Sequence, residues 1–252
     1  MSLAAVAERV ARAVDALADA PGMPSAPRPL RPDEGAPWTW RSPAAVAAGA
    51  DPHEVAARLT GDPLLAGVAV APGGWLVLTF APAAMAAHLA RLASGVDLPA
   101  ASAPPPAPRP GADVERFEVA RRAAGAPALP AGVAGRRILG NPVVVVQLAH
   151  ARAVRRAGTD LARGGAAADV ATTLDPDTRG LLTELLQAPG AFVAQPAHPE
   201  RLAAALLAVA TAYLRWEERA EAGPGTLLVS EAGRGVLHAG MARLGVHAPG
   251  RM

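Results

Sequence analysis

Cysteine and lysine are both absent from this 252-residue chain, and each absence removes a class of chemistry. Without cysteine there is neither a disulfide framework nor a thiolate site. Without lysine all 24 basic residues are arginine, so Walker-A phosphate loops and Schiff-base enzymes are excluded in their usual forms. Long apolar runs are missing too. Stretches such as Leu202–Val209 fall well short of the roughly 20 residues that span a bilayer. The first residues lack a basic n-region and a long apolar h-region, since Glu8, Arg9, Arg12 and Asp15 punctuate them. A cytoplasmic protein is expected. Aromatic residues make up only 3%. Alanine fills about a quarter of the chain, and with abundant leucine and valine it favours close-packed helices.

The sequence pI near 10.2 reflects a scarcity of titrating groups rather than a strong charge. Net charge is only +2, and with no cysteine, no lysine and one tyrosine almost nothing titrates between neutrality and pH ~10. The distribution of charge is more informative. Residues 1–120 hold 9 arginines against 12 carboxylates, whereas 121–252 hold 15 against 10. Residues 121–156 carry seven arginines and no carboxylate. Such a block can neutralise phosphates and make binding salt-sensitive; a solvated helix face with a linker is the alternative reading.

Periodicity predicts an α+β first part. Leu3, Val6, Val10, Val14 and Leu17 stand at helical spacing over residues 3–19, and Pro21-Gly22 ends that helix. Trp38 and Trp40, alternating around Thr39, form a short strand or an aromatic cluster. Asp51-Pro52-His53-Glu54 supplies a cap, a first-turn proline and an acidic first turn for a helix to about Thr60. Val68 and Val70 alternate as a strand, Pro72-Gly73-Gly74 turns, and Trp75–Phe80 returns. A helix from Pro82 to Ser94 stops at Gly95. Residues 96–138 are rich in Pro, Ala and Gly, and Pro104-Pro105-Pro106 stiffens them into a spacer, with a short helix over Val114–Ala124.

The remainder reads as helices. Asn141 caps and Pro142 opens a helix to about Arg156, although Val143–Val146 alone would pass for a buried strand. Asp175-Pro176-Asp177 starts another, to about Leu186, which Pro189 interrupts. His198-Pro199-Glu200 begins a long helix to about Ala220, with Leu202, Leu206, Val209, Tyr213 and Trp216 at helical spacing; Tyr213 and Trp216 are expected in the core. The last helix runs from about Thr226 to Leu244 and is closed by Gly245. Several helices with short connections make a bundle.

Two blocks of this second part resemble a known family. Leu237-His238-Ala239-Gly240-Met241-Ala242-Arg243-Leu244-Gly245-Val246-His247-Ala248-Pro249-Gly250-Arg251-Met252 is similar to the closing helix and tail of bacterial arginyl-tRNA synthetases, V-L-x-x-G-L-x-L-L-G-V-x-A-P-E-R-M. Asn141-Pro142-Val143-Val144-Val145-Val146-Gln147-Leu148-Ala149-His150-Ala151-Arg152 resembles the same family's N-P-x-x-Y-V-Q-Y-A-H-A-R. Both lie in the DALR-type anticodon-binding domain of that family. Weaker likenesses, at Asp51–Ala56 and Val68–Leu76, resemble its small N-terminal add-on domain. The chain departs from the pattern at Val145 and Leu148, where the family has tyrosines, at Gly250, where it has glutamate, and at Thr226, where it commonly has arginine. Exposed aromatics are the usual platforms for unpaired bases, so these losses limit base readout.

The resemblance implies an N-terminal add-on-like α+β domain over 1–95, a linker over 96–138, and an all-α anticodon-binding-like bundle over 139–252. A catalytic domain would fall at the linker, where there is no room: one strand–helix–strand unit takes about 30 residues, and that fold needs several. The lysine-bearing signature loop of class I synthetases is missing as well. A non-catalytic protein without cofactor or metal is expected, binding tRNA or a similar structured RNA. Its candidate contacts are Gln147, His150, Arg152, Arg155, Arg156, Arg251 and Met252, with Arg152, Arg155 and Arg156 spaced to share a helical face. For Gln147 and His150 the alternative is a structural role, bonding helix ends or neighbouring helices. The alternative function is a protein-interaction module docking on a synthetase or a biosynthetic enzyme. His53, His88, His150, His198, His238 and His247 show no paired metal-ligand spacing.

Overall fold

The computed structural model describes residues 3–17, 30–32, 39–96, 98, 111–123, 125–134, 136–162, 175–194, 197–220 and 224–250. They form an α+β structure in two compact units, Met1–His88 and Leu89–Met252. Among the described residues no helix is long and apolar enough to cross a membrane.

In the first unit, α1 (Leu3–Asp15) buries Val6, Val10 and Val14 together with Ala7 and Ala11, the face that its 3–4 spacing foretells. Pro21-Gly22 and Trp38 lie outside the described residues. A four-stranded antiparallel sheet has the order β1-β2-β4-β3. Its strands are β1 (Arg31–Pro32), β2 (Thr39–Ser42), β3 (Leu65–Ala71) and β4 (Trp75–Phe80). Along β4 the residues Leu76, Leu78 and Phe80 are buried and alternate with half-exposed Trp75, Val77 and Thr79, so one face of the sheet is covered. Trp40 of β2 pairs with Leu78 and meets Phe80 edge-on, ring centroids 4.9 Å apart. The tryptophan is therefore part of a strand and of an aromatic contact at once. Gly73 and Gly74 both take positive φ in the β3–β4 turn, which a side chain resists.

Two short helices flank this sheet. The second of α2 (Ala44–Ala48) and α3 (Pro52–Leu59) opens as its sequence dictates: Asp51 accepts the His53 N–H at 2.9 Å and Pro52 sits in the first turn. α4 (Pro82–Ser94) is closed by Gly95 at φ 75. The division between the units falls within it, so its last turn, Leu89–Ser94, belongs to the second unit.

That second unit adds α5 (Ala112–Arg122), α6 (Ala131–Ala134), α7 (Pro142–Ala162), α8 (Pro176–Ala194), α9 (Pro199–Glu217) and α10 (Pro224–Arg243). α8 packs on α9, and α7 and α10 pack on each other and on α9. α5 lies in the stretch expected as spacer. It buries Phe117 and Ala120 and packs on α9 and α7. Close approach comes from glycine. A Cβ at Gly240 would stand 2.3 Å from Leu206 Cδ2, and one at Gly233 3.0 Å from the Tyr213 ring. Tyr213 and Trp216 are buried, their rings 5.4 Å apart, as their spacing predicts.

Two local expectations are corrected. Pro189 does not interrupt α8, which continues to Ala194. A mid-helix proline costs about 3 kcal/mol, but continuation buries Ala188, Pro189 and Phe192, and a buried phenylalanine alone offsets roughly 1.5–3 kcal/mol. Asn141 does not cap α7 with its side chain. Its Nδ2 instead donates toward the Val133, Ala134 and Arg136 carbonyls at 3.3–3.4 Å, closing the end of α6. Oδ1 is left buried without a partner among the described residues. The short α6 has orphan carbonyls that need a donor, and Asn141 is the residue the turn brings beneath them.

Candidate nucleic-acid interface

α7 carries five of the seven expected contacts, and they divide into two groups. Gln147 and His150, three apart on α7, face the tail that follows α10. Gln147 Nε2 donates to the His247 carbonyl at 3.0 Å and to Asp113 Oδ2 at 2.9 Å. His150 Nδ1 lies 2.9 Å from the Pro249 carbonyl oxygen. A carbonyl only accepts, so Nδ1 carries the proton. α5 completes the docking: His247 N–H donates to Asp113 Oδ1, and Arg116 donates to the Gly245 carbonyl at 2.8 Å. Gly245 takes φ 67 and turns the chain out of α10, and Val246 is buried beneath the turn.

His150 is buried, and its ring lies 5.7 Å from that of His238 on α10. Burial pushes its pKa below the ordinary imidazole value. The Pro249 carbonyl works the other way, and His238, Arg234 and His247 add repulsion that lowers it further. The ring is neutral at neutral pH, which suits a side chain whose task is to hold a backbone oxygen.

Arg152, Arg155 and Arg156 form the second group, and all three reach the end of α9. Arg152 Nη1 meets Glu217 Oε2 at 2.9 Å, and Arg155 Nη2 meets Oε1 of the same carboxylate at 3.2 Å. Arg156 Nη2 donates to the Ala220 carbonyl at 2.8 Å, its guanidinium 5.8 Å from the centre of the Trp216 ring. A cation here is favoured because the C-terminal carbonyls of a helix are electronegative, and the same field opposes Glu217, which two arginines offset. The three share a face as their spacing requires. Arg155 is 68% exposed and Arg152 33%, against 12% for Glu217. The carboxylate thus lies beneath the guanidiniums, and Arg155 keeps most of its surface for solvent or a ligand. Arg251 and Met252 lie outside the described residues.

The sequence reading missed Asp113, Arg116 and Glu217. Asp113 and Arg116 sit in the stretch expected as spacer, and Glu217 follows the last apolar position, Trp216, of the helix expected from His198 to about Ala220. Each acts on partners 34 to 134 positions away, a distance at which no local pattern signals a contact. Among the described residues there is no group of three or more side chains suited to a metal ion.

No protein-family model matches the chain, and no curated protein does. Among solved structures it is similar to the arginyl-tRNA synthetase of Thermus thermophilus, with a TM-score of 0.42 and 21% identity. The likeness covers 67% of this chain and 31% of that one, so the chain spans about a third of the synthetase it matches.

Proposed function

We propose that this chain is a non-catalytic relative of arginyl-tRNA synthetase that binds tRNA or a similar structured RNA through its helical second unit. One observation carries the reading. The two sequence blocks that resemble the family, about 100 positions apart, meet through the Gln147–His247 and His150–Pro249 hydrogen bonds. Segments that the resemblance assigns to one anticodon-binding domain are therefore joined to each other here, which supports the reading. Beside them, Arg155 and Arg152 offer guanidiniums suited to phosphate oxygens. With Val145 and Leu148 in place of the family's tyrosines, affinity would come from phosphates more than from bases.

Filter binding with unmodified tRNA tests this. Contacts from Arg152, Arg155 and Arg251 to three phosphates predict a loss of affinity of roughly 20- to 40-fold between about 50 and 200 mM salt. Absence of binding at the lower salt, or affinity indifferent to salt, rules the reading out.

A second reading has its own support. Arg152, Arg155 and Arg156 already have partners on the α9 end, and Val119 and Leu139 are about two-thirds exposed. Both features suit a module that docks on a protein, such as a synthetase or biosynthetic enzyme. A partner retained after nuclease treatment, in a preparation with no tRNA affinity, would favour this second reading.

A further inference from the structure

The tail after α10 is held by hydrogen bonds more than by burial. Of residues 246–250 only Val246 is buried; the rest is fastened by Asp113, Gln147 and His150, with Arg116 holding Gly245. One of those fasteners can change charge in the physiological range, and its surroundings are unfavourable to a cation. α10 presents His238, its ring 5.7 Å from that of His150, and Arg234, which is paired with Glu231. The tail itself brings His247. From α5 come Asp113, already accepting from Gln147 and from the His247 N–H, and Arg116. α9 contributes Glu217, held by Arg152 and Arg155. Asp113, Glu217 and Glu231 are each committed to other partners, and a charged His150 would meet two further histidines and an arginine.

We propose that residues 245–250 form a pH-responsive latch, docked on α5 and α7 at neutrality and released when His150 takes up a proton. The proton goes to Nε2, since Nδ1 already carries one. An imidazolium buried against a second imidazole and an arginine is relieved by turning to water, and the Pro249 hydrogen bond is lost with that turn. The sign follows from linkage. Burial of the His150 ring outweighs the Pro249 carbonyl, which by itself favours the charged form, so the docked state binds fewer protons than the released state and docking weakens as pH falls below the free imidazole value of about 6.5. It is weakest once pH has passed below the docked value. This latch rests on the tail contacts and the burial of His150, and is independent of RNA binding.

Hydrogen exchange of the full chain, followed by mass spectrometry and corrected for the intrinsic pH dependence of exchange, tests the latch. The amides of Val246 and His247, which bond to the Met241 carbonyl and to Asp113, are the reporters. Their protection should fall several-fold between pH 7.5 and pH 5 in the unaltered protein. In His150→Gln, which keeps an N–H donor but cannot titrate, protection should be level across that range. Constant protection in the unaltered protein, or an equal loss in His150→Gln, overturns the proposal. Proton NMR of the unaltered chain gives a reading that needs no variant. The C2 proton of His150 should titrate with the same midpoint as the loss of tail protection, and a midpoint that follows His238 or His247 instead contradicts it.

Discussion

Gly235→Ala is expected to destabilise the second unit by about 3 kcal/mol, at the upper end of overpacking costs. A Cβ at Gly235 would stand 2.3 Å from the Leu92 carbonyl oxygen and 3.3 Å from the Ala93 Cα. Those atoms are backbone, so no rotamer change makes room; the last turn of α4 must move off α10. Leu89 and Leu92 of that turn are fully buried, and moving it exposes them. Against a typical domain stability of 5–15 kcal/mol, the loss is large. Gly180→Ala is the control. Gly180 lies within α8, and a methyl group added there would have nothing within 4 Å of it, so the same substitution should add about 0.5–1 kcal/mol through helix propensity and reduced unfolded-state entropy. Urea unfolding monitored by helical circular dichroism measures both. Equal effects would show that α4 does not pack against α10 as described.

The double variant Arg152→Gln with Arg155→Gln should lose about 1.5 kcal/mol. It strands Glu217, 12% exposed, at the end of α9 where the helix field opposes a carboxylate. Adding Glu217→Gln should recover most of that loss, because the unpaired charge is then gone, and the cycle isolates the coupling. Were the arginines merely solvated, the double variant would lose less than about 0.5 kcal/mol and the third change would recover nothing. The cycle also bears on function. Arginines that support α9 can still contact phosphate, but the triple variant would then be stable and deficient in RNA binding, separating the two roles.

The features legible in the sequence are those set within a turn or two of chain. Asp51-Pro52 announces a capped helix because the side-chain oxygen reaches only two residues ahead. Trp75–Phe80 shows its buried face by alternation. Val143–Val146, ambiguous by periodicity, is helical, and Val143, Val144 and Val146 are buried. Where reading failed, the deciding energy came from packing and carbonyl partners that the local pattern does not display. The fate of Pro189 was set by the burial of Phe192, and that of Asn141 by carbonyls of α6 that need a donor. The candidate site divides the same way. Its residue types and helical face were readable, but the ties of Gln147 to Asp113 and of Arg152 to Glu217 join elements that are adjacent only after folding. The composition of 96–138 likewise gave no sign that Phe117 would be covered by other helices.

The proposed function puts an RNA-binding surface on α7 and the tail. Ultraviolet crosslinking of tRNA to the full chain, with the modified peptides identified by mass spectrometry, tests it most directly. Crosslinks should concentrate in residues 141–156 and 245–252 and should fade as salt is raised. Crosslinks confined to residues 1–88, or none at low salt, would contradict it.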